Sequence, residues 1–161
     1  MAASLPNFNI MATGYKGDGW TADMVKKVAG RSLMDPKIDD TCIVRISDPL
    51  NNAGGVHKIP SITVPFRTRI GKNGNWYGLR VKEFWVYMVN KYGPPSLHLK
   101  GSAIDRDAFE SRKGIAGFLV KFHGGSANGH FTLWDGSRLL YSGERDYFSI
   151  SHEAALWEAP S

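Results

Sequence analysis

The chain has 161 residues, one cysteine, and 20 lysines and arginines against 15 acidic residues. A chain of this length buries enough surface to fold as one compact domain without a disulfide framework or a structural metal. We therefore predict a single domain over residues 1–161. The lone Cys42 excludes an intramolecular disulfide and a cysteine-rich zinc site. Its thiol is thus either inert packing or a reactive group.

The formal net charge of +5 is spread along the chain, and its longest basic runs are two residues each. A scattered excess of this kind argues against nucleic acid as a partner. Residues 1–10 lack the basic start and apolar core of a signal peptide, and no stretch reaches the ~20 apolar residues that span a bilayer. We predict a protein made in the cytoplasm, without membrane insertion.

Residues 1–80 contain a short predicted helix and a long loop. Residues 1–19 show only weak patterning, whereas Thr21 can N-cap a helix because its hydroxyl accepts a free backbone N–H. Gly30 ends this helix. Residues 51–80 are rich in glycine, proline and asparagine, which predicts a loop with an edge strand around Ile62–Phe66.

A second helix is predicted to begin at Cys42. Three residues suited to N-capping stand directly before it: Asp39, Asp40 and Thr41. The helix would end at Pro49, which has no N–H and clashes with the preceding turn. The segment is rich in β-branched residues, so a strand is the alternative. In the helical interpretation Cys42 lies in the first turn.

The second half of the chain predicts one long helix and then strands. Apolar residues from Val81 to Tyr92 fall on one helical stripe, and Gly93 ends it. Residues 114–123 form an apolar run of strand length, and the glycine-rich segment 124–129 predicts a turn. Another short strand is predicted at Tyr147–Ile150. Helices first and strands last are typical of an α+β fold, with N-terminal helices packed on an antiparallel sheet.

A hairpin is predicted at Asp135-Gly136, because this pair favours a two-residue type I′ turn. That turn would place Trp134 opposite Ser137 and His130 opposite Tyr141. Side chains alternate along a strand, so one face of this hairpin can look toward the helix of Cys42.

Cys42 and His130 are the residues that could carry chemistry. A thiol in the first turn of a helix lies near the positive end of the helix dipole, which favours its thiolate. A histidine far away in sequence can serve as its general base. The other four histidines show no metal-ligand spacing, and we predict no metal and no cofactor; they are His57, His98, His123 and His152.

Three segments together resemble a known family of enzymes. They are TCIVRISDPLNNAG, GLRVKEFWVYMVNKYGPP and KGIAGFLVKFHGGSANGHFTLWDG. In order and spacing they resemble, over residues 20–141, the fourth family of type VI secretion amidase effectors. The most specific part is the run from Gly129 to Gly136. The resemblance implies a papain-like, NlpC-type cysteine amidase with its nucleophile at a helix N-terminus.

The resemblance also implies roles for individual residues. Cys42 would be the nucleophile and His130 the base. The family places an acidic residue opposite the histidine, and that position here holds Tyr141. A carboxylate there would hold the imidazole tautomer and stabilise the imidazolium. We expect Asp146 to be the third catalytic residue, while Tyr141, Glu144 or no third residue remain alternatives.

The implied function is that of an antibacterial toxin. Its substrate would be the peptide stem of peptidoglycan, at the amide between D-glutamate and diaminopimelate. The type VI secretion apparatus would deliver it to the periplasm of a target cell, and a cognate immunity protein would protect the producer. A non-catalytic basic binding module and a cysteine acyltransferase with the same Cys/His pair are the alternatives.

Overall fold

The structure is a computed structural model that describes residues 2–63, 66–120 and 129–161. Short helices lead the chain and strands dominate its second half. The helices are α1 Phe8–Ala12, α2 Ala22–Ala29, α3 Cys42–Ala53, α4 Val81–Tyr92 and α5 Tyr147–Ile150. The strands are β1 Thr68–Ile70, β2 Trp76–Gly78, β3 Leu97–Lys100, β4 Gly114–Val120, β5 Gly129–Trp134 and β6 Ser151–Glu158.

The strands form two antiparallel sheets. Strands β1 and β2 pair with each other, and a four-stranded sheet has the order β3-β6-β4-β5. Strand β5 is therefore an edge strand, paired on one side with β4, where His130 lies opposite Phe118. Its outer backbone groups are left for other partners. The α+β class with an antiparallel sheet is confirmed.

The four-stranded sheet buries a different core on each face because side chains alternate along its strands. On one face, Phe131 and Leu133 pack with Ile43 and Ile46 of α3 and with Phe84 of α4. The opposite face holds a second cluster, which includes Phe109, Phe118, Trp134, Phe148 and Leu156. Two apolar layers thus fix β5 between them.

Two predicted helices are confirmed with their caps. The Thr21 hydroxyl accepts a hydrogen bond from the Met24 N–H at 3.2 Å, and α2 ends at Gly30 with φ +72°. Helix α4 ends at Gly93, whose φ of +83° lies in the left-handed region that favours glycine. Local capping chemistry decides the ends of both helices.

Helix α3 begins at Cys42 as predicted, but its predicted end at Pro49 is wrong, since it continues to Ala53. The proline costs the helix one hydrogen bond, and contacts beyond it hold the last turn in place. The side chain of Asn51 donates to the Trp76 carbonyl and accepts from the Ile59 N–H, each at 2.8 Å. Leu50 is fully buried. Tertiary packing thus outweighs the local effect of the proline.

The predictions for the first eighty residues miss one α-helix and two strands. Residues 1–19 contain α1, which Asn7 caps by accepting from the Asn9 N–H. The loop 51–80 contains β1 and β2. The edge strand predicted at Ile62–Phe66 is wrong at Ile62, which lies in no strand. Its N–H donates to the Thr68 hydroxyl, and its carbonyl accepts from the Thr68 N–H and hydroxyl. Residues 64 and 65 lie outside the described residues.

The predicted type I′ turn at Asp135-Gly136 is also wrong. Trp134 lies opposite Leu139, so the loop has four residues instead of two. The Asp135 carboxylate accepts from the Ser137 N–H, the Ser137 hydroxyl and the Arg138 N–H. Such side-chain capping favours a wider turn than the sequence pair suggests. Of the turn predicted over 124–129, residues 124–128 lie outside the described residues, and Gly129 is the first residue of β5.

The strand predicted at Tyr147–Ile150 is a single helical turn, α5. Asp146 caps it, since its carboxylate accepts from the Phe148 N–H at 3.2 Å. Phe148 is buried in the second core cluster. The last strand, β6, starts only at Ser151, and α5 therefore lies against the sheet beside His130.

Candidate active site

Cys42 lies at the start of α3 with its side chain buried, 1 % exposed. The Asp40 carboxylate accepts from the Cys42 N–H at 3.0 Å, whereas Thr41 makes no side-chain cap. On its other side the sulfur meets the N–H of Phe131, on the free edge of β5. The first turn of α3 thus holds the thiol against the strand that carries His130.

The surroundings of Cys42 favour its neutral thiol. Burial raises the pKa of the thiol well above its usual value, and the charge of Asp40 raises that pKa further. The Phe131 N–H and the Arg45 guanidinium lower it, with smaller effects. A base that takes the proton as the sulfur attacks is therefore needed for nucleophilic chemistry.

His130 is positioned to be that base. It is 3 % exposed, and its Nε2 lies 2.6 Å from the backbone carbonyl oxygen of Tyr141. A carbonyl oxygen only accepts, so Nε2 carries the proton and Nδ1 is the basic nitrogen of the neutral ring. Burial lowers the pKa of His130 to about 4, against smaller raising effects of the Tyr141 carbonyl, Asp40 and Asp18. At neutral pH the imidazole is thus an uncharged proton acceptor.

Two tyrosines fix the plane of the His130 ring. The Tyr147 ring stacks parallel to it, with centroids 4.0 Å apart and planes 2° apart. The Tyr141 ring also contacts it, with ring centroids 5.2 Å apart and an angle of 41° between the ring planes. Burial raises the pKa of Tyr147 to about 12, so an uncharged phenol covers the imidazole. Sequence patterns gave Tyr147 no role, because its segment looked like an ordinary strand.

The predicted pairing of His130 with Tyr141 is wrong, since the four-residue loop brings Tyr141 opposite Thr132. Tyr141 nevertheless provides a peptide carbonyl to His130, where the family pattern has a carboxylate. Asp146, the expected third catalytic residue, is exposed and uses its carboxylate to cap α5. The strand expected at this point is a helix, and capping occupies the carboxylate. A catalytic role for Asp146 stays a prediction. Glu144 is exposed, with φ +64°, and lies in the turn between Tyr141 and α5.

Arg45 is a further residue of the site that sequence reasoning missed. Its guanidinium is 2 % exposed and donates to three carbonyls of one loop, those of Lys16, Gly17 and Trp20. It also lies 3.7 Å from the centre of the Tyr141 ring. A charged residue inside the apolar run Ile43–Ile46 was the available signal, since a buried arginine needs several acceptors.

An open cleft of about 580 Å³ lies beside the residue that caps the start of α3 and the first turn of α4. Asp40, which binds the Cys42 N–H, and Val81, at the start of α4, both line it. Val81 packs so closely on Gly129 that a Cβ there would come within 2.5 Å of its Cγ1. The lining carries four cationic side chains, Lys37, Arg69, Arg80 and Lys82, and three carboxylates, Asp39, Asp40 and Glu83. The lining of the cleft therefore presents both signs of charge.

The described residues contain no group of three or more histidines, cysteines or carboxylates placed to hold a metal ion. Among the helices in the described ranges, none has the length and apolar character to cross a bilayer.

Comparisons with known proteins agree with this geometry. The family model of the type VI secretion system amidase effector protein 4, Tae4, matches residues 38–157. The effector–immunity system Tae4/Tai4 from Salmonella typhimurium has a TM-score of 0.82 and 25 % identity, covering 98 % of this chain and 100 % of that one. The Tae4–Tai4 complex from Enterobacter cloacae has a TM-score of 0.81 and 23 % identity, covering 96 % and 99 %.

No curated protein sequence matches the chain. The family match nevertheless spans most of it, and the fold agrees with the structures of that family along nearly the whole length. The resemblance seen in the sequence, the papain-like α+β fold and the enzyme class are therefore confirmed. The chain belongs to the family of type VI secretion system amidase effectors called Tae4, which are peptidoglycan amidases.

Proposed function

We propose that the chain acts as a single cysteine amidase domain over residues 1–161, with Cys42 as nucleophile and His130 as base. One observation carries this assignment. Helix α3, which begins at Cys42, packs against β5, and the Cys42 sulfur meets the N–H of Phe131, the residue that follows His130 on that strand. No second cysteine in the chain could serve as an alternative nucleophile.

The reaction is acyl transfer to sulfur followed by hydrolysis. Nδ1 of His130 takes the thiol proton, and the thiolate attacks the carbonyl carbon of the scissile amide. The Cys42 N–H is already bonded to Asp40, and other backbone N–H groups near the N-terminus of α3, which have no partners within the helix, stabilise the oxyanion. The imidazolium then gives its proton to the leaving amine, and water, activated by the neutral ring, releases the acyl group from Cys42.

The substrate is the peptide stem of bacterial peptidoglycan, cleaved between D-glutamate and diaminopimelate. Both residues carry free carboxylates, and four of the seven charged side chains that line the cleft are cationic and can pair with them. Cations at the entrance of a cleft raise the local concentration of an anionic substrate.

Delivery and control follow from the family. The type VI secretion apparatus carries the protein to the periplasm of a neighbouring cell, where the wall is accessible. A cognate immunity protein binds it in the producing cell, as Tai4 accompanies Tae4 in the related structures. Occupation of the cleft by that protein would block access to Cys42.

Mass spectrometry of digested peptidoglycan tests the assignment. The wild-type chain should release fragments cut at the stem amide, while Cys42→Ala and His130→Ala should lose at least about a thousandfold in rate. Retention of full activity by Cys42→Ala would refute the nucleophile, and intact muropeptides with the folded wild type would refute the substrate. An added amine that appears in the product would instead identify an acyltransferase.

A further inference from the structure

We propose that Asp18 is a positioning residue for His130, acting through the peptide group between Tyr141 and Ser142. The carbonyl of this peptide accepts from Nε2 of His130, and its N–H donates to the Asp18 carboxylate. Asp18 thus replaces, at one peptide's distance, the carboxylate that the family pattern has at position 141. The inference rests on the proposed role of His130 as base.

The geometry of the peptide bond makes this arrangement directional. The C=O and N–H of a trans peptide point to opposite sides of one rigid plane. Its Tyr141 oxygen lies 2.6 Å from His130 Nε2, and its Ser142 nitrogen lies 3.0 Å from Asp18 Oδ1. Fixing the N–H therefore fixes the direction of the carbonyl, and with it the orientation of the imidazole.

Asp18 holds this segment at three points. Its carboxylate accepts from the Ser142 N–H, the Ser142 hydroxyl and the Gly143 N–H, each at 3.0 Å. On the other side of the peptide, the Tyr141 N–H donates to the Thr132 hydroxyl of β5 at 2.9 Å. The carbonyl that meets His130 is thus held between the sheet on one side and Asp18 on the other.

The loop that carries Asp18 is itself attached to the nucleophile helix. The Asp18 N–H donates to the Leu140 carbonyl at 3.2 Å, and Arg45 of α3 binds the Gly17 carbonyl at 2.7 Å. A continuous set of hydrogen bonds therefore joins the helix of Cys42 to the ring of His130.

The negative charge of the Asp18 carboxylate also affects the peptide group between Tyr141 and Ser142. An anion that accepts from the N–H polarises the peptide and makes its carbonyl a stronger acceptor, because hydrogen bonds in a chain strengthen one another. The negative charge of Asp18 also stabilises the imidazolium that forms during the reaction. Asp18 thereby provides at a distance what a directly bonded carboxylate provides in other cysteine and serine hydrolases.

Asp18→Asn and Asp18→Ala test the proposal, with Asp135→Ala as a matched control. Asp135 binds the same trio of donors in the neighbouring loop, the Ser137 N–H, the Ser137 hydroxyl and the Arg138 N–H, without a place in the site. We expect kcat of Asp18→Ala to fall roughly tenfold with little change in KM, the loss that one charge-assisted hydrogen bond implies. Asp18→Asn, which keeps an acceptor oxygen, should lose less.

Two further measurements separate positioning from general stability. The acidic limb of the kcat/KM profile should move to lower pH in both Asp18 variants and not in Asp135→Ala, because loss of the anion lowers the pKa of His130. Nitrogen NMR of the folded protein should show the Nε2–H tautomer of His130 in the wild type and a tautomer mixture in Asp18→Ala. The NMR signal does not depend on turnover, so a wild type inactive on peptidoglycan refutes the proposed function alone.

Identical pH profiles and tautomers in the Asp18 variants and Asp135→Ala would overturn the role of Asp18. If Asp18→Ala does not fold, the same comparison is made with Asp18→Asn, whose amide can keep the contacts with Ser142 and Gly143 in part.

Discussion

Cys42 has a carboxylate beside it that opposes formation of its thiolate. Asp40 accepts from the Cys42 N–H, and burial together with the charge of Asp40 raises the pKa of the thiol. The same charge raises the pKa of His130. Asp40 therefore favours the protonated forms of both Cys42 and His130. The proton leaves the thiol only as the sulfur attacks the substrate carbonyl and the negative charge moves to the carbonyl oxygen.

Asp40→Asn should make the thiol more acidic. Removal of the negative charge relieves its repulsion of the thiolate, so the rate of alkylation by iodoacetamide should rise at lower pH than in the wild type. The profile of alkylation rate against pH measures this shift. Asp39→Asn is the control, because Asp39 is the next carboxylate along the chain and does not bond to Cys42. Coincident profiles for the two variants would contradict the role assigned to Asp40.

The sequence predicts the two reacting residues better than the residues that orient them. Cys42 follows N-cap residues, and His130 lies in a specific motif, so local patterns identify both. Asp18 bonds to Ser142 and Gly143 across more than 120 residues of chain, and Arg45 reaches back to a loop that ends at Trp20. No local spacing encodes contacts that depend on how distant loops meet.

Helix α5 shows why short elements were harder to predict than long ones. Two of its four residues are aromatic and one is β-branched, types that are enriched in strands. Capping by Asp146 and burial of Phe148 select one helical turn instead. By contrast, α4 carries a stripe long enough to determine its own structure, and its prediction is confirmed.

The single turn of α5 controls the surroundings of the catalytic base through Tyr147. Tyr147→Ala should expose the imidazole to water, and because burial lowers the pKa of His130, that pKa should rise toward its ordinary value. The acidic limb of kcat/KM should then move up by about one pH unit or more, with a lower kcat, because stacking no longer orients the ring.

Tyr147→Phe is the matched variant for this test. It keeps the stacked ring and loses only the hydroxyl, so its pH profile should follow that of the wild type. If the pH profile of kcat/KM in Tyr147→Ala coincides with that of the wild type, the Tyr147 ring has no influence on the pKa of His130.

The stability of the whole molecule should depend on pH through His130. The folded-state pKa of about 4 lies below the ordinary 6.5, so the unfolded chain binds more protons than the native protein between these values. The contribution of His130 to the free energy of unfolding is therefore fully present above pH 6.5 and is lost as the pH falls toward 4. The loss from this residue amounts to about 3 kcal/mol of unfolding free energy.

Urea unfolding at a series of pH values measures this dependence. In His130→Asn the loss of unfolding free energy that His130 causes between pH 6.5 and 4 should disappear. The variant His152→Asn, which removes an exposed histidine, should retain that loss. Equal slopes in the wild type and His130→Asn would mean that the buried imidazole is already charged in the native state.

The buried, solitary thiol of Cys42 has a consequence for transport between compartments. Reducing and oxidising surroundings change the covalent structure of most proteins with paired cysteines, but this chain has no partner for its sulfur. The fold can thus pass from one redox environment to another without an oxidase, an isomerase or a mispaired intermediate. Shielding of the sulfur from solvent also slows its conversion to sulfenic acid, so the protein can arrive with its reactive atom intact.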